Sequence, residues 1–452
     1  MGSCTTELPR IQRIWAPWAL PVLRSPVRNA CVTIEDGKIT SVDGGISREQ
    51  AQAHDATCYD DAVLAPGFVN AHAHIEYAAY DALVDGLAFP DWIADHIHRK
   101  RRLAAEHMAA SARFGAIASL AGGITCIGDA SFSGHAAAEM RRAGLRGRVY
   151  LEVFGDGDEP LADRDALFTQ VAEVAAMSGG LLSAGWSPHA PYTAGPGLFS
   201  AVNETGLPWM SHLHESPDEL ACTTRGRGPL ASWIRSMNWT PHAWPMSPIQ
   251  DLAERQLLGR HAVLVHAVHL SDADVAAVAN AGAGIVHCPR SNARLGCGIA
   301  DLTRLERAGV LVALGTDSPA SAGPIDMFAE MRSMIEQQRA VHADATLPDA
   351  GQALRMATVN AAQVLGYDDV GAIVPGAAAD LMVVETGPTS SPVTAVVLGG
   401  TPDSVISTWI AGREVWQRDR NQQELRLAQA GIADARALLT LPVAPAAPAS
   451  TH

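Results

Sequence analysis

The sequence predicts an α/β fold: a (β/α)8 TIM-type barrel with a small β-sandwich domain built from both chain ends. Three observations lead to this prediction. The chain has 452 residues, which is enough for such a barrel and an accessory domain. Between residues 66 and 365, strand-like apolar runs alternate with Ala-rich stretches, a pattern typical of βα units around a parallel sheet. Short β-like runs separated by Gly, Asp and Pro lie on both sides of that region.

The predicted elements follow in chain order. Residues 1–65 form the first part of the sandwich, where ACVTIEDGKITSVDGG is the clearest pair of strands joined by a turn. Residues 66–365 form the (β/α)8 barrel, with strands in runs such as GITCIGDA, RVYLEVFG and VLVALGTDS. Residues 366–420 return to short strands and form the second part of the sandwich. Residues 421–452 are predicted to be a C-terminal helix followed by a disordered Pro/Ala-rich tail.

Composition narrows the expected partners. Apolar residues make up 48% of the chain and charged residues 18%, as in a globular protein. The formal net charge of -15 argues against a nucleic acid or an anionic membrane, because both require a basic face. The seven Cys include no C-x-x-C pair, which argues against a disulfide framework and a thiolate zinc site. We therefore expect a cytoplasmic protein that acts on a small-molecule substrate and has no nucleic-acid or membrane partner. A homodimer is the expected assembly.

Polar clusters stand at the ends of four apolar runs. They are AHAH (His72, His74), SHLHE (His212, Glu215), VHAVH (His266, His269) and GTDS (Asp317). Because the carboxyl ends of the strands of a parallel barrel converge on one mouth, we expect these side chains to be neighbours. Imidazoles and carboxylates gathered at one mouth are the donor groups that a hydrolytic metal site needs.

The first two clusters supply candidate ligands and a candidate acid. His72 and His74 are spaced i, i+2, which places both side chains on one face of a strand. Polar loop histidines give the same pattern, but the position directly after a strand favours metal ligands. His212 offers a third imidazole, and Glu215 could transfer protons beside the ion. The alternative for Glu215 is a turn residue at the surface.

The later clusters supply a catalytic histidine and a carboxylate. His266 ends its apolar run and is preferred over His269 as the catalytic residue. Asp317 follows a buried strand and must be paired or metal-bound, because an isolated buried carboxylate is costly. A metal ligand that also accepts a proton is its expected role. His189, in SPHAPYT, is a further candidate at the mouth, for gripping the substrate.

Seven motifs resemble those of the amidohydrolase superfamily in the same order. They are LAPGFVNAHAH, SPHAPYT, HLHES, VHAVHLSDADV, HCPRSN, LGTDSPAS and VPGAAADLMVV. The resemblance covers nearly the whole chain and is to the mononuclear-metal aminohydrolase branch (ATZ/TRZ-like). It implies one divalent metal ion, Zn²⁺ or Fe²⁺, held by His72, His74, His212 and Asp317, with no carboxylated Lys. It also implies that Glu215 is the proton shuttle and His266 the oxyanion stabiliser.

Within that branch, NAHAHIEY, DGLAFPDWI, HCPRSN and LGTDSPAS look most like the aminodeoxyfutalosine deaminases of menaquinone biosynthesis. The implied function is metal-dependent hydrolytic deamination of a 6-aminopurine nucleoside, with aminodeoxyfutalosine as the first candidate. S-adenosylhomocysteine, methylthioadenosine, other aminopurines and pterins are alternative substrates. A chlorohydrolase or ureidohydrolase is the rival reaction, and a metal-free binding protein is a third interpretation. Glu215 favours the deaminase, because dechlorinating relatives tend to lack it.

Substrate contacts are expected from segments that would lie over the barrel mouth. The candidates are Trp92, Arg225, Arg227, Trp233, Trp239, Arg290, Ser291 and Asn292. The Trp side chains could stack on a flat ring, and the Arg side chains could pair with a carboxylate. For Trp233, Trp239 and the Arg residues, the alternative is a packed external helix with solvated Arg side chains. For Ser291 and Asn292, the alternative is hydrogen bonding at a strand end.

Overall fold

The computed structural model describes residues 11–81 and 83–442. The strands are β1 Ile11–Ala19, β2 Val27–Glu35, β3 Lys38–Asp43, β4 Thr57–Cys58, β5 Ala62–Pro66, β6 Phe68–Ala73, β7 Ile124–Ser131, β8 Arg146–Val153, β9 Leu182–Pro188, β10 Trp209–Leu213, β11 Ala262–His266, β12 Gly284–His287, β13 Val312–Leu314, β14 Leu381–Glu385, β15 Val405–Ile410 and β16 Arg413–Gln417.

The helices are α1 Arg48–Ala53, α2 Phe89–Lys100, α3 Ala105–Ala121, α4 His135–Ala143, α5 Glu159–Ala176, α6 Pro196–Glu204, α7 Pro217–Arg225, α8 Pro229–Ser236, α9 Pro248–Glu254, α10 Asp272–Ala281, α11 Pro289–Arg294, α12 Leu302–Arg307, α13 Pro319–Ala322, α14 Met327–His342, α15 Ala350–Met356, α16 Val359–Val364, α17 Pro392–Gly399, α18 Arg418–Gly431 and α19 Ala433–Thr440. The disordered tail predicted after the C-terminal helix lies, from residue 443 onwards, outside the described residues.

Strands β6 to β13 form the barrel. They lie in sequence order, and each pairs in parallel with the next. A parallel bridge between Ala73 and Asp317 joins the last strand to the first, and the Asp317 amide donates to the His72 carbonyl over 3.0 Å. The (β/α)8 prediction is confirmed, and this closing bridge brings two of the polar clusters side by side.

Side chains alternate along the barrel strands because successive residues point to opposite faces. In β11, Val263 and Val265 pack in the barrel interior, whereas Ala262 and Leu264 pack in the larger apolar cluster that includes the helices. The strand ends at His266, where φ is +70°. Because the backbone leaves the extended conformation at this residue, the imidazole of His266 lies at the barrel mouth. There it lines a cavity that is described below.

The chain ends form a second, smaller domain. Strands β16, β15, β14, β5, β1, β2 and β3 lie side by side in that order, with β4 paired to β1. The sheet is mixed, since β1 runs antiparallel to β2 and parallel to β5. One face is an apolar cluster that contains Ile14, Val32, Leu64, Leu381 and Val383. Both chain ends therefore contribute to one small domain, as the sequence predicts.

The structure also shows the state of the cysteines and the length of the apolar helices. The six cysteines in the described part of the chain are free. Among the described residues, no helix is both long and apolar enough to cross a membrane.

A buried ion pair ties the barrel to the small domain. Arg146 begins β8, and its Nε and Nη2 donate to the two carboxylate oxygens of Asp380 over 2.6 and 3.1 Å. The carboxylate also accepts the amide of Ala411 over 2.8 Å. The side chain of Asp380 is fully buried and that of Arg146 is 10% exposed. The pair therefore fixes the position of β14 against the base of the barrel.

Asp380→Asn is expected to destabilise the protein by about 3–5 kcal/mol, because it leaves the Arg146 guanidinium buried without a counter-charge. The measurement is the shift of the urea unfolding midpoint. Arg48→Ala is the matched control, since it breaks the Arg48–Asp60 pair, whose side chains are 41% and 58% exposed. An exposed pair contributes about 0–1 kcal/mol. Equal midpoints for the two variants would contradict the prediction.

Candidate active site

Four side chains converge at the carboxyl ends of the barrel strands. One donor atom from each of His72, His74, His212 and Asp317 lies within 4.8 Å of the others, and all four residues are buried. The Nε2 atoms of His74 and His212 are 3.2 Å apart. Oδ1 of Asp317 lies 3.2 Å from Nε2 of His72 and 3.5 Å from Nε2 of His74.

Neighbouring groups orient these donor atoms. His212 Nδ1 donates to the His189 carbonyl over 2.7 Å, so its Nε2 carries the lone pair. Oδ2 of Asp317 accepts from the hydroxyl of Ser291 over 2.5 Å and from that of Ser321 over 2.8 Å, which turns Oδ1 towards the histidines. Such outer hydrogen bonds fix the tautomer and direction of metal ligands.

The electrostatics suit a cation. Burial lowers the pKa of His74 and of His212 well below the ordinary value, so both imidazoles are neutral. Burial alone would raise the pKa of Asp317, but its contacts with His72 and the nearby histidines hold it well below the ordinary range. The Nε2 atoms of His74 and His212 lie 3.2 Å apart, and two neutral imidazoles that converge in this way can share one cation. Three imidazoles and a carboxylate fit Zn²⁺ or Fe²⁺.

Glu215 and His266 lie beside this centre and both line the cavity. Their Oε2 and Nε2 atoms are 3.7 Å apart. Burial raises the pKa of Glu215 well above the ordinary value, and the charges of Asp317 and Glu219 add to this effect. Glu215 therefore faces the cavity as a carboxyl group whose raised pKa favours holding a proton.

The tautomer of His266 follows from its partner. Nδ1 of His266 donates to Oδ1 of Asn292 over 2.8 Å, which leaves Nε2 as an acceptor. Burial lowers the pKa of His266 to about 4. The ring can therefore hold a water molecule by accepting its proton, and it stabilises an oxyanion only after it has itself been protonated.

Glu219 holds the turn that carries Glu215, and sequence analysis missed it. Its carboxylate accepts the backbone amides of His214 over 2.9 Å and of Glu215 over 2.7 Å. His214 lies there at a φ of +54°, a conformation that non-glycine residues rarely adopt. Ser216 caps α7 by accepting the Glu219 amide, and this S-x-x-E helix start is the signal that could have found Glu219.

The other histidines of the clusters separate into two groups. His189 lines the cavity, where its Nδ1 lies 2.7 Å from Oγ1 of Thr193 and its ring packs on Phe154. His214 and His269 turn away, the first towards the His269 carbonyl and the second towards the Cys297 carbonyl. The structure thus places His266 at the mouth in preference to His269.

A cavity of about 600 Å³ opens from the polar centre. Much of its wall is aromatic. The lining residues are His74, Tyr77, Phe89, Trp92, Ile93, His96, Ile97, Lys100, Arg101, Leu103, Phe132, Glu152, Phe154, His189, Tyr192, Thr193, His212, Glu215, Trp233, Met237, Trp239, His266, Asp317 and Ser318. The size suits a drug-sized ligand with a flat ring system.

Helix α2 covers one side of this cavity and is held by the C-terminal segment. Arg102, just after α2, donates to the carbonyls of Leu441 over 2.7 Å and of Pro442 over 3.0 Å. Arg99 donates to the Leu439 carbonyl and pairs with Asp95 of its own helix over 2.6 Å. The cavity wall therefore depends on contacts with the end of the described chain.

Several predicted substrate contacts lie outside the cavity wall. Arg290 was wrongly assigned, because its guanidinium bonds to the carbonyls of Ala322 and Pro324 and to Glu330, which fixes α11 to α14. The prediction that Arg225 contacts the substrate is also corrected. Arg225 is the exposed last residue of α7 and does not line the cavity. Arg227 is exposed in the loop that follows. Trp92, Trp233 and Trp239 do line the cavity.

Ser291 and Asn292 form hydrogen bonds to residues of the site and do not face a substrate. Both are fully buried and neither lines the cavity. Ser291 bonds to Asp317 and Asn292 to His266, so they are positioning residues. Of the two predicted roles, the structure thus favours hydrogen bonding at the strand end over direct contact with a substrate.

Comparisons with known proteins identify a matching family, related sequences and structures with the same fold. The sequence model of the amidohydrolase family matches residues 63–415. Over 368 residues the chain is 30% identical to the 5-methylthioadenosine/S-adenosylhomocysteine deaminase of Teredinibacter turnerae, covering 78% of this chain and 79% of that protein.

Two solved structures share the fold. An adenosine deaminase from Xanthomonas campestris with bound zinc has a TM-score of 0.76 and 27% identity, covering 94% of this chain and 98% of the other. Helicobacter pylori aminofutalosine deaminase in complex with methylthio-coformycin has a TM-score of 0.77, covering 90% of this chain and 100% of the other. At 21% identity, this second likeness concerns the fold alone.

Proposed function

The chain belongs to the amidohydrolase family, and on that premise we propose that it is a metal-dependent hydrolytic deaminase of 6-aminopurine nucleosides. The reaction replaces the 6-amino group with an oxo group and releases ammonia. The observation that carries the proposal is the buried Glu215, which faces the cavity 3.7 Å from His266 and beside the cluster of His72, His74, His212 and Asp317. Burial raises its pKa, which suits a proton donor.

Each side chain has a distinct task. His72, His74, His212 and Asp317 would hold a divalent ion, which would lower the pKa of a water molecule at the cavity towards neutrality. Asp317 would accept a proton from that water, and His266 would orient it through the free lone pair of Nε2. Glu215 protonates the ring nitrogen next to the amino-bearing carbon and is left as a carboxylate. It then takes the proton of the hydroxyl newly bound to that carbon and passes it to the departing amino group, so that ammonia leaves and the oxo group forms; the proton accepted by Asp317 restores the Glu215 carboxyl group.

Glu215 also separates this reaction from chloride release on the same scaffold. The amino group leaves an aromatic ring as ammonia only after the amino nitrogen has gained a proton, whereas chloride leaves as an anion without one. A protonated carboxyl group inside the cavity is needed for the first reaction and not for the second. The chlorohydrolase is therefore the weaker candidate.

The substrate is proposed from the cavity and the relatives. The wall is mainly apolar and aromatic, which suits an adenine ring and an uncharged 5′ substituent. The Teredinibacter turnerae relative is named for 5-methylthioadenosine and S-adenosylhomocysteine. Aminodeoxyfutalosine, the first candidate from the sequence, carries a benzoate. Arg225 and Arg290, predicted to bind such a group, lie outside the cavity, but Lys100 and Arg101 line it, so the order of the candidates rests on the relatives. We therefore place methylthioadenosine-type nucleosides first and aminodeoxyfutalosine second.

The test is an ammonia-release assay on the metal-loaded protein. Methylthioadenosine, S-adenosylhomocysteine, adenosine, aminodeoxyfutalosine, guanine and a chlorotriazine are compared at equal concentration. The highest kcat/KM is expected for an adenine nucleoside. Chloride release from the triazine without ammonia release from any adenine nucleoside would overturn the proposal.

A further inference from the structure

The backbone and the carboxyl group of Glu215 are held by different parts of the chain. The Glu219 carboxylate fixes the backbone amide of Glu215, but the side chain can still rotate about its own bonds. One carboxyl oxygen, Oε2, lies 3.7 Å from Nε2 of His266. The other, Oε1, lies 3.9 Å from the thiol of Cys297, which donates to it. Contacts to both oxygens define the plane of the carboxyl group, whereas a contact to one oxygen leaves that plane free to turn.

The surroundings of Cys297 suit this contact. The residue is 1% exposed and lies in an apolar cluster with Leu230, Ile234 and Leu295. It does not line the substrate cavity, so its thiol faces Glu215 rather than a substrate. Burial raises the pKa of this thiol, and the charge of Glu215 adds to the effect. The group is therefore a neutral S–H donor and not a thiolate, which is the form that acts as a nucleophile or metal ligand.

The turn that carries Cys297 is fixed by residues that also serve the active site. The amide of Cys297 donates to the carbonyl of Asn292 over 2.8 Å, and the side chain of Asn292 orients the catalytic imidazole. The Cys297 carbonyl accepts from Nε2 of His269 over 2.6 Å. His269 in turn accepts with its own carbonyl from Nδ1 of His214 over 3.1 Å. His269 thus joins the turn that carries Cys297 to the turn that carries the proton donor.

We infer that Cys297 is a positioning residue for Glu215: its thiol holds Oε1, so that Oε2 stays directed at His266 and the cavity. The inference rests on the proposed function, in which Glu215 moves protons between the purine ring and the leaving amino group. After Glu215 has given up its proton, the same S–H group donates to a carboxylate, and a charge-assisted bond of this kind is stronger. Cys297 therefore holds the carboxyl group in both protonation states and takes up no proton itself.

The first experiment removes the donor. Cys297→Ala deletes only the sulfur atom, which lies outside the cavity wall. We expect kcat for the best adenine nucleoside to fall about 3- to 10-fold, as for the loss of one neutral hydrogen bond. KM and metal content should stay close to those of the wild type, because the cavity wall and the metal cluster are untouched. A rise in KM without a loss of kcat would contradict the inference.

Cys222→Ala is the matched control. Cys222 is also a free thiol, is fully buried in the same apolar cluster and does not line the cavity. Deletion of its sulfur leaves a similar space in the cluster, so the urea unfolding midpoints of the two variants should shift by similar amounts. The kcat of Cys222→Ala should stay close to that of the wild type. An equal loss of kcat in both variants would assign the effect to the packing of the cluster and refute the positioning role.

A double-mutant cycle tests whether Cys297 acts through Glu215. Cys297→Ala is repeated in the Glu215→Gln variant, which can no longer transfer the proton. If the thiol only positions that carboxyl group, the added substitution should lower kcat by less than about twofold, so that the two losses do not multiply. A double variant whose loss equals the product of the single losses would overturn the inference. If the wild-type protein deaminated no adenine nucleoside at all, the proposed function would fail instead.

Discussion

Glu215→Gln is expected to lower kcat by about 10²- to 10⁴-fold while the metal content of the protein stays unchanged. Gln has the same shape and still fills the space beside His266, 3.7 Å away. It cannot transfer a proton to the ring nitrogen or to the departing ammonia. The loss should therefore fall on kcat rather than on KM, because the substrate still binds. Steady-state kinetics and metal analysis of the purified variant provide the two measurements.

Glu219→Gln is the matched control for this experiment. Glu219 belongs to the same turn and is equally buried, and burial raises its pKa to about 7, but it does not line the cavity. Its amide oxygen still accepts one of the two backbone amides, so the loss of kcat should stay within about tenfold, as for one weakened neutral hydrogen bond. Near-normal turnover of Glu215→Gln, or equal losses in both variants, would remove Glu215 from the proposed mechanism.

The polar residues at strand ends could be predicted because the barrel fixes where strands end. His72, Asp317 and His266 each follow an apolar run, and a parallel barrel brings such positions to one mouth whatever their separation in sequence. The same rule applied to RVYLEVFG would have found Glu152 near the end of β8. Glu152 was overlooked because no other His, Cys, Asp or Glu lies next to it in the sequence.

The substrate contacts could not be predicted in the same way, because they depend on side-chain direction in loops and external helices. Arg290 adjoins Ser291 in sequence, yet its guanidinium bonds to Glu330 on α14 and not to the cavity. Lys100 lies in a run of basic residues in which only it and Arg101 line the cavity wall. Charge density along the sequence gives no sign of which member of such a run turns inward.

His72→Asn is expected to lower the metal content from about one equivalent to near zero, with a corresponding loss of activity, because it removes one of the four side chains that would hold the ion. His72 is fully buried and does not line the cavity, so the change removes a ligand without altering a substrate contact. Metal content is measured by elemental analysis after dialysis. The thermal midpoint should also stop responding to added Zn²⁺, because stabilisation by a ligand requires that it binds the folded state.

His261→Asn is the control for loss of a barrel histidine. His261 precedes β11 at the opposite end of the barrel, and its Nε2 lies 2.9 Å from Oδ1 of Asn203, away from the cluster. This variant should keep the metal and the response to Zn²⁺. If His72→Asn kept a full equivalent of metal, the ion would have to bind elsewhere, and the roles of Asp317 and Glu215 in the proposed reaction would fail with it. If His72→Asn lost the metal but kept its turnover, the reaction would not depend on the ion, and the side chains alone would have to activate the water.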